Sequence, residues 1–245
     1  MYNQAKKCAL VTGADRGLGL SLARDLAKAG WQVYAGRILS EYTLLDDLHK
    51  DYLNLIPVWL DVSKPADICL IRDRIAQDVG YLDLLVSNAA LMGGNGAAEL
   101  GGVNPIDFDA MELSFRINSL AAPLLVDILF PLLEKGNMKR LFFTSSEISS
   151  IKLMHRTGDM RYAMTKAALN LGVRMLHNSL RPLGYTFRLY QPGWMKRVQP
   201  DGTRSESGNV DPDDSARVAL SLILEERPDE DRLILIDRFG HELAF

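Results

Sequence analysis

The stretch Cys8-Ala-Leu-Val-Thr12-Gly13-Ala14-Asp15-Arg16-Gly17-Leu18-Gly19 decides the fold. It opens with a short apolar run, passes three glycines, and leads into Leu18–Ala29, whose apolar residues recur at helical spacing until Gly30 stops them. Strand, tight turn and helix make the first part of a βαβ unit. The alternation continues outward, with strands expected near Gln32–Ala35, Leu55–Leu60, Leu82–Ser87, Arg140–Thr144, Thr186–Tyr190 and Leu233–Ile236 and helical patterns in most intervals. Seven strands and about six helices result. Right-handed crossovers cover both faces of such a sheet in turn, so the pattern predicts a doubly wound α/β fold, a seven-stranded, mostly parallel sheet with helices on both faces.

Residues 1–245 read as one domain, without an internal repeat or low-complexity tract. Two segments lack regular patterning, the glycine-rich Met92–Asn104 and the polar Val198–Asp211, and long loops beyond strand ends often bind ligands. The formal charge of −3 gives no electrostatic support to a nucleic-acid or anionic-membrane role. Cys8 and Cys69 are isolated, which fits a reducing compartment and neither a disulfide framework nor a metal site. The N-terminus lacks a signal-like apolar region, so a cytoplasmic location is expected. The four histidines have no ligand spacing, and no metal is expected.

Gly13, Gly17 and Gly19 allow a tight turn and let backbone N–H groups approach a pyrophosphate, whose charge sits well at a helix N-terminus. Their GxxxGxG spacing resembles the short-chain dehydrogenase/reductase family. Further motifs follow in that family's order: Asp61-Val62, Asn88-Ala89-Ala90, Asn118, Ser145-Ser146, Tyr162-Ala-Met-Thr-Lys166 and Pro192-Gly193. The resemblance spans about Lys7 to Gly193. It implies a Rossmann-fold oxidoreductase of the carbonyl-reductase type. The dinucleotide would lie against Gly13, Asp15, Arg16, Gly17, Leu18, Gly19, Arg37, Asp61, Val62, Asn88, Ala89, Ala90, Tyr162, Lys166, Pro192 and Gly193.

Tyr162 and Lys166 stand four residues apart in a helical pattern, hence on one face one turn apart. A nearby ammonium favours the phenolate, and lowering a phenol by roughly three pH units takes about 4 kcal/mol, so Lys166 is expected to tune Tyr162 as acid/base together with the positive ring of the oxidised nicotinamide in a partly desolvated site. The resemblance further implies that a serine holds the substrate oxygen and that Asn118 fixes a proton-relaying water. Ser146 continues directly from the strand at Leu141–Thr144 and is preferred as that serine. Ser149, 13 residues before Tyr162, is the alternative, and Ser145 or Ser146 as a simple strand-end cap is a third reading.

Ala35-Gly36-Arg37 has no acidic residue where relatives that prefer NAD carry one, and Arg16 stands in the glycine turn. Two guanidinium groups suit a 2′-phosphate, so NADP(H) is favoured over NAD(H), although the Asp15 carboxylate is expected near that phosphate and would weaken the preference. By resemblance, Met92, Met154 and Trp194 belong to a substrate pocket for a small carbonyl or alcohol. The resemblance also implies a homodimer or homotetramer, paired through the counterparts of the long apolar helices Asp109–Leu133 and Tyr162–Leu180. A non-catalytic NADP(H)-binding sensor of the same fold is the alternative function. The apolar tail Phe239–Phe245 is expected to pack on its own domain or on a partner subunit.

Overall fold

The computed structural model describes residues 6–92 and 106–245. Its framework is one sheet of β1 (Cys8–Val11), β2 (Gln32–Arg37), β3 (Leu55–Trp59), β4 (Leu84–Ser87), β5 (Arg140–Thr144), β6 (Thr186–Gln191), β7 (Leu235–Asp237) and β8 (Glu242–Leu243), in the spatial order β3-β2-β1-β4-β5-β6-β7-β8. Strands β1 to β7 are parallel, and β1 is wholly buried, as expected of a central strand covered on both faces.

Helices α1 (Gly17–Lys28), α2 (Leu44–Asp51) and α7 (Pro212–Leu224) cover one face, where Leu22, Leu26, Leu45, Ala219 and Ile223 pack on Val11, Val33 and Phe142. The other face carries α3 (Pro65–Asp78), α5 (Ala121–Leu133) and α6 (Met160–Leu180), with Ile71, Leu125, Leu129, Leu169 and Val173 over Leu10, Leu85 and Leu141. Helix α4 (Phe108–Phe115) runs into α5 through a π-helical turn, Arg116–Leu120. The combined helix is long and apolar enough to cross a bilayer by composition, but half of that stretch is buried within the fold.

The expected doubly wound architecture is present, with one correction: the sheet has eight strands rather than seven. The tail folds back so that Leu243 pairs antiparallel with Leu235, and the Asp237 carboxylate accepts hydrogen bonds from the Phe239 and His241 N–H groups to close the turn. A two-residue strand carries no period to detect in sequence, whereas its pairing protects the outer edge of β7. The tail's expected packing on its own domain is met by this pairing.

Two buried arginines finish α7. Arg188 donates to the carbonyls of Leu222 and Glu225, Arg140 donates to those of Ile223 and Glu225, and Glu230 receives Arg188 in a paired contact at 2.7 and 2.8 Å. Guanidinium N–H groups thus take the orphan carbonyls that end every helix.

Candidate active site

The order of the sheet reverses between β1 and β4, and the strand C-termini on either side of that point open a crevice of the kind that binds ligands in doubly wound sheets. The glycine turn lies at its floor. Gly13 and Gly17 adopt φ of +63° and +60°, a region costly for residues with a Cβ. A Cβ on Gly19 would lie 2.2 Å from the Gly13 carbonyl oxygen and 2.6 Å from Asn88 Nδ2, whereas one on Gly17 would meet nothing within 4 Å. Gly19 is therefore needed for packing, and Gly17 leaves an open backbone surface. Arg16, at the helix N-cap, gives no side-chain hydrogen bond to the first turn of α1. Free N–H groups, positive φ and open space together fit a dinucleotide pyrophosphate.

Asn88 and Ala89 are locked to this turn. Thr12 Oγ1 accepts from both of their N–H groups at 2.9 and 3.0 Å, and Asn88 Nδ2 donates to the carbonyls of Thr12 and Gly13. Asn88 Oδ1 also accepts from Thr144, joining the ends of β1, β4 and β5. Ala90 continues this turn at the surface. Asp61 directs its carboxylate to Ser63 and Lys64, with Val62 buried beside it.

The second corner of the crevice lies at the exit of β2. Asp15 is buried, and its Oδ1 accepts from the N–H groups of Ile38 at 2.9 Å and Leu39 at 2.7 Å. Two backbone donors at the exit of β2 outcompete an exposed position for the carboxylate. The carboxylate is therefore held at the exit of β2, by the two residues that follow Arg37, in the corner where it was expected beside a 2′-phosphate. Arg16 lies over the Tyr42 ring at 4.7 Å and hydrogen-bonds its hydroxyl. Arg37 pairs with Asp46 at 2.6 Å.

On the other side, the buried Lys166 donates to the Thr144 carbonyl at 2.7 Å and lies 5.6 Å from the centre of the Tyr162 ring. This ties α6 to the end of β5, two residues before Ser146. Burial pushes Tyr162 up to about 12, with Asp159 adding to the rise, and pulls Lys166 down to about 8. Desolvation of the phenolate is the larger cause of the rise at Tyr162. Ser146 is half-buried and accepts only a long contact from Ile148 N, which leaves its hydroxyl hydrogen uncommitted among the described residues. Ser149 is buried and donates to the Ser146 carbonyl while accepting from Asn170. Ser145 donates to Asn170 Oδ1 at 2.6 Å.

Asn118 sits in the π-helical turn, a feature often found at functional sites. Its Oδ1 accepts from Leu91 N, and its two amide hydrogens go to the Leu91 carbonyl and Thr165 Oγ1. The side chain has no amide hydrogen left for a water. Pro192 is buried with its carbonyl bonded to Ser215, and Gly193 turns with φ of +87°. Met92, Met154 and Trp194 are exposed, the last at 64%. The loop expected at Met92–Asn104 lies, beyond Met92, outside the described residues.

The sequence reasoning did not find Thr12, Tyr42, Asp46, Thr165 and Asn170. Asn170 had a signal: it follows Lys166 by four residues and so shares its helix face. Tyr42 and Asp46 had none, because their partners are contributed by other segments.

The comparisons with known proteins agree with this geometry. A family model described as short chain dehydrogenase matches residues 7–206. Versicolorin reductase of Emericella nidulans is 28% identical over 198 residues, which cover 80% of this chain and 71% of that protein. Among solved structures, the NADPH-bound carbonyl reductase from chicken fatty liver superimposes with a TM-score of 0.84 at 24% identity, covering 98% of this chain and 99% of its own. The carbonyl reductase Sniffer of D. melanogaster gives 0.82 at 20% identity, covering 98% and 100%. At these identities the two structures speak for the fold.

Proposed function

The chain belongs to the short-chain dehydrogenase/reductase family, and from that premise we propose that it is an NADP(H)-dependent reductase of small carbonyl compounds, with Tyr162 as the general acid. The observation that carries this reading is the Tyr162–Lys166 pair, a phenol with a buried ammonium 5.6 Å from its ring centre. The nicotinamide, when bound, supplies or accepts the hydride at the substrate carbon.

The Tyr162 phenol carries a proton at neutral pH that it can donate to the developing alkoxide. The phenolate left behind faces the Lys166 charge, and Lys166, at about 8, is still mostly cationic at pH 7. Ser146 is the residue assigned to the substrate oxygen: its hydroxyl hydrogen is free to donate, whereas Ser149 has spent its own. Asn118 acts by position, fastening the segment at Leu91 to Thr165, next to Lys166. The N–H groups of Gly17, Leu18 and Gly19 would hold the pyrophosphate. Arg16 and Arg37 would hold a 2′-phosphate through paired, charge-assisted hydrogen bonds. The exposed Met92, Met154 and Trp194 supply apolar surface for the substrate.

The chain acts as one domain, its single sheet drawing strands from Cys8 through Leu243. Exposed Leu120, Leu171 and Met175 on the helices around α6 support a homodimer or homotetramer built on that face. Two free, isolated thiols support a cytoplasmic setting.

The test is turnover of NADPH, and separately NADH, against aldehydes, ketones and quinones, with Tyr162→Phe as control. Consumption of NADPH that falls at least about a hundredfold in the control supports the assignment. Tight nucleotide binding with no carbonyl accepted by the parent protein would instead make the chain a nucleotide sensor.

A further inference from the structure

The corner between β2 and α2 contains a counter-ion that the function above does not use. Arg37 leaves the end of β2 and pairs through its NH1 with Oδ2 of Asp46, in the first turn of α2, at 2.6 Å. The other cation of this corner, Arg16, has no carboxylate partner among the described residues and is held by the Tyr42 ring and hydroxyl. The segment between them is fixed by Asp15, which grips the N–H groups of Ile38 and Leu39. The two guanidinium groups are thus presented differently, one on a neutral aromatic partner and one on a carboxylate.

We propose that Asp46 is a specificity-determining residue, an internal counter-ion that occupies Arg37 in the absence of a 2′-phosphate and competes with that phosphate when NADP(H) binds. The proposal rests on the assignment of this corner to the adenosine end of a dinucleotide. A phosphate monoester carries about −1.5 to −2 charges at neutral pH. To reach Arg37 it must displace the carboxylate or lie beside it, and either course costs affinity. NAD(H) carries a neutral hydroxyl at the same position and meets no such cost. Asp46 therefore narrows the preference for NADP(H) that Arg16 and Arg37 would otherwise give, alongside the Asp15 carboxylate held in the same corner.

Asp46→Asn tests this, because the amide keeps the size and an acceptor for Arg37 while losing the charge. Binding is measured by calorimetry with adenosine 2′,5′-bisphosphate, 5′-AMP, NADPH and NADH, at low and at 0.5 M salt. The expected result is roughly five- to tenfold tighter binding of the bisphosphate and NADPH, with 5′-AMP and NADH within about twofold. The gain should shrink at high salt, which a merely structural change would not reproduce. Asp47 remains in the first turn of α2, and a melting curve checks that the helix is intact. Unchanged or weaker NADPH binding in Asp46→Asn overturns the proposal. Arg37→Ala separates the two levels. If the parent binds bisphosphate and 5′-AMP equally and Arg37→Ala alters neither, the assignment of the corner itself is wrong and the role of Asp46 falls with it.

Discussion

Replacing Lys166 by methionine should stabilise the protein at neutral pH while abolishing its activity. Lys166 is buried, its ammonium has a single acceptor among the described residues in the Thr144 carbonyl, and burial pulls its pKa from the ordinary 10.5 to about 8. At pH 7 the folded state carries this charge at a cost of about 3 kcal/mol relative to the unfolded chain. Methionine, similar in length, removes the charge but strands the Thr144 carbonyl, a loss of about 1 kcal/mol. The net gain is about 2 kcal/mol, or roughly 5 °C in melting temperature for a chain of this size.

The pH dependence gives the sharper test. Between about 8 and 10.5 the unfolded chain binds more protons at this lysine than the folded one does. The parent's stability therefore rises with pH across that window, relative to the variant. Urea unfolding at intervals from pH 7 to pH 10 should show the variant's advantage largest below pH 8 and shrinking above it. A variant less stable than the parent at pH 7, or an advantage that ignores pH, would refute the view that the site keeps a desolvated charge at the expense of stability.

Other consequences follow from the same geometry. Gly19→Ala drives a methyl group into the Gly13 carbonyl, a backbone contact that no rotamer change relieves, and should cost about 1–3 kcal/mol in denaturant unfolding while weakening dinucleotide binding severalfold. Unaltered stability would show that the turn can yield. Glu230→Ala leaves Arg188, and with it Arg140, buried without a carboxylate and should cost about 3–5 kcal/mol. Burial alone would raise Glu230, but its hydrogen bonds with Arg188 and that residue's charge hold it below the usual range. The stability it contributes is thus present at neutral pH and lost as pH falls, so the gap between parent and variant should close in acid. Met175→Glu places a charge on the exposed face of α6 and should convert the expected dimer to monomer in light scattering without lowering the melting temperature of the monomer. A parent that is already monomeric would exclude that face as an interface.

The sequence by itself determined what depends on near neighbours along the chain. Alternating strand and helix patterns gave the doubly wound sheet, three glycines gave the turn before α1, and four-residue spacing put Tyr162 and Lys166 on one helix face. Each is a local rule of period or sterics that survives packing. Tertiary structure decided where competing partners turned. Asp15 went to two backbone N–H groups 23 and 24 residues away, Arg37 to Asp46, and the Asn118 amide to Leu91 and Thr165. The same is true of the serines, where Asn170 and the Ser146 carbonyl occupy Ser149 and leave Ser146 open. It is true too of β8, which exists because β7 offered it an edge. A polar side chain chooses among all the donors and acceptors that folding brings within reach, and burial raises the cost of leaving any of them unpaired. That choice is made between segments, so no local pattern records it.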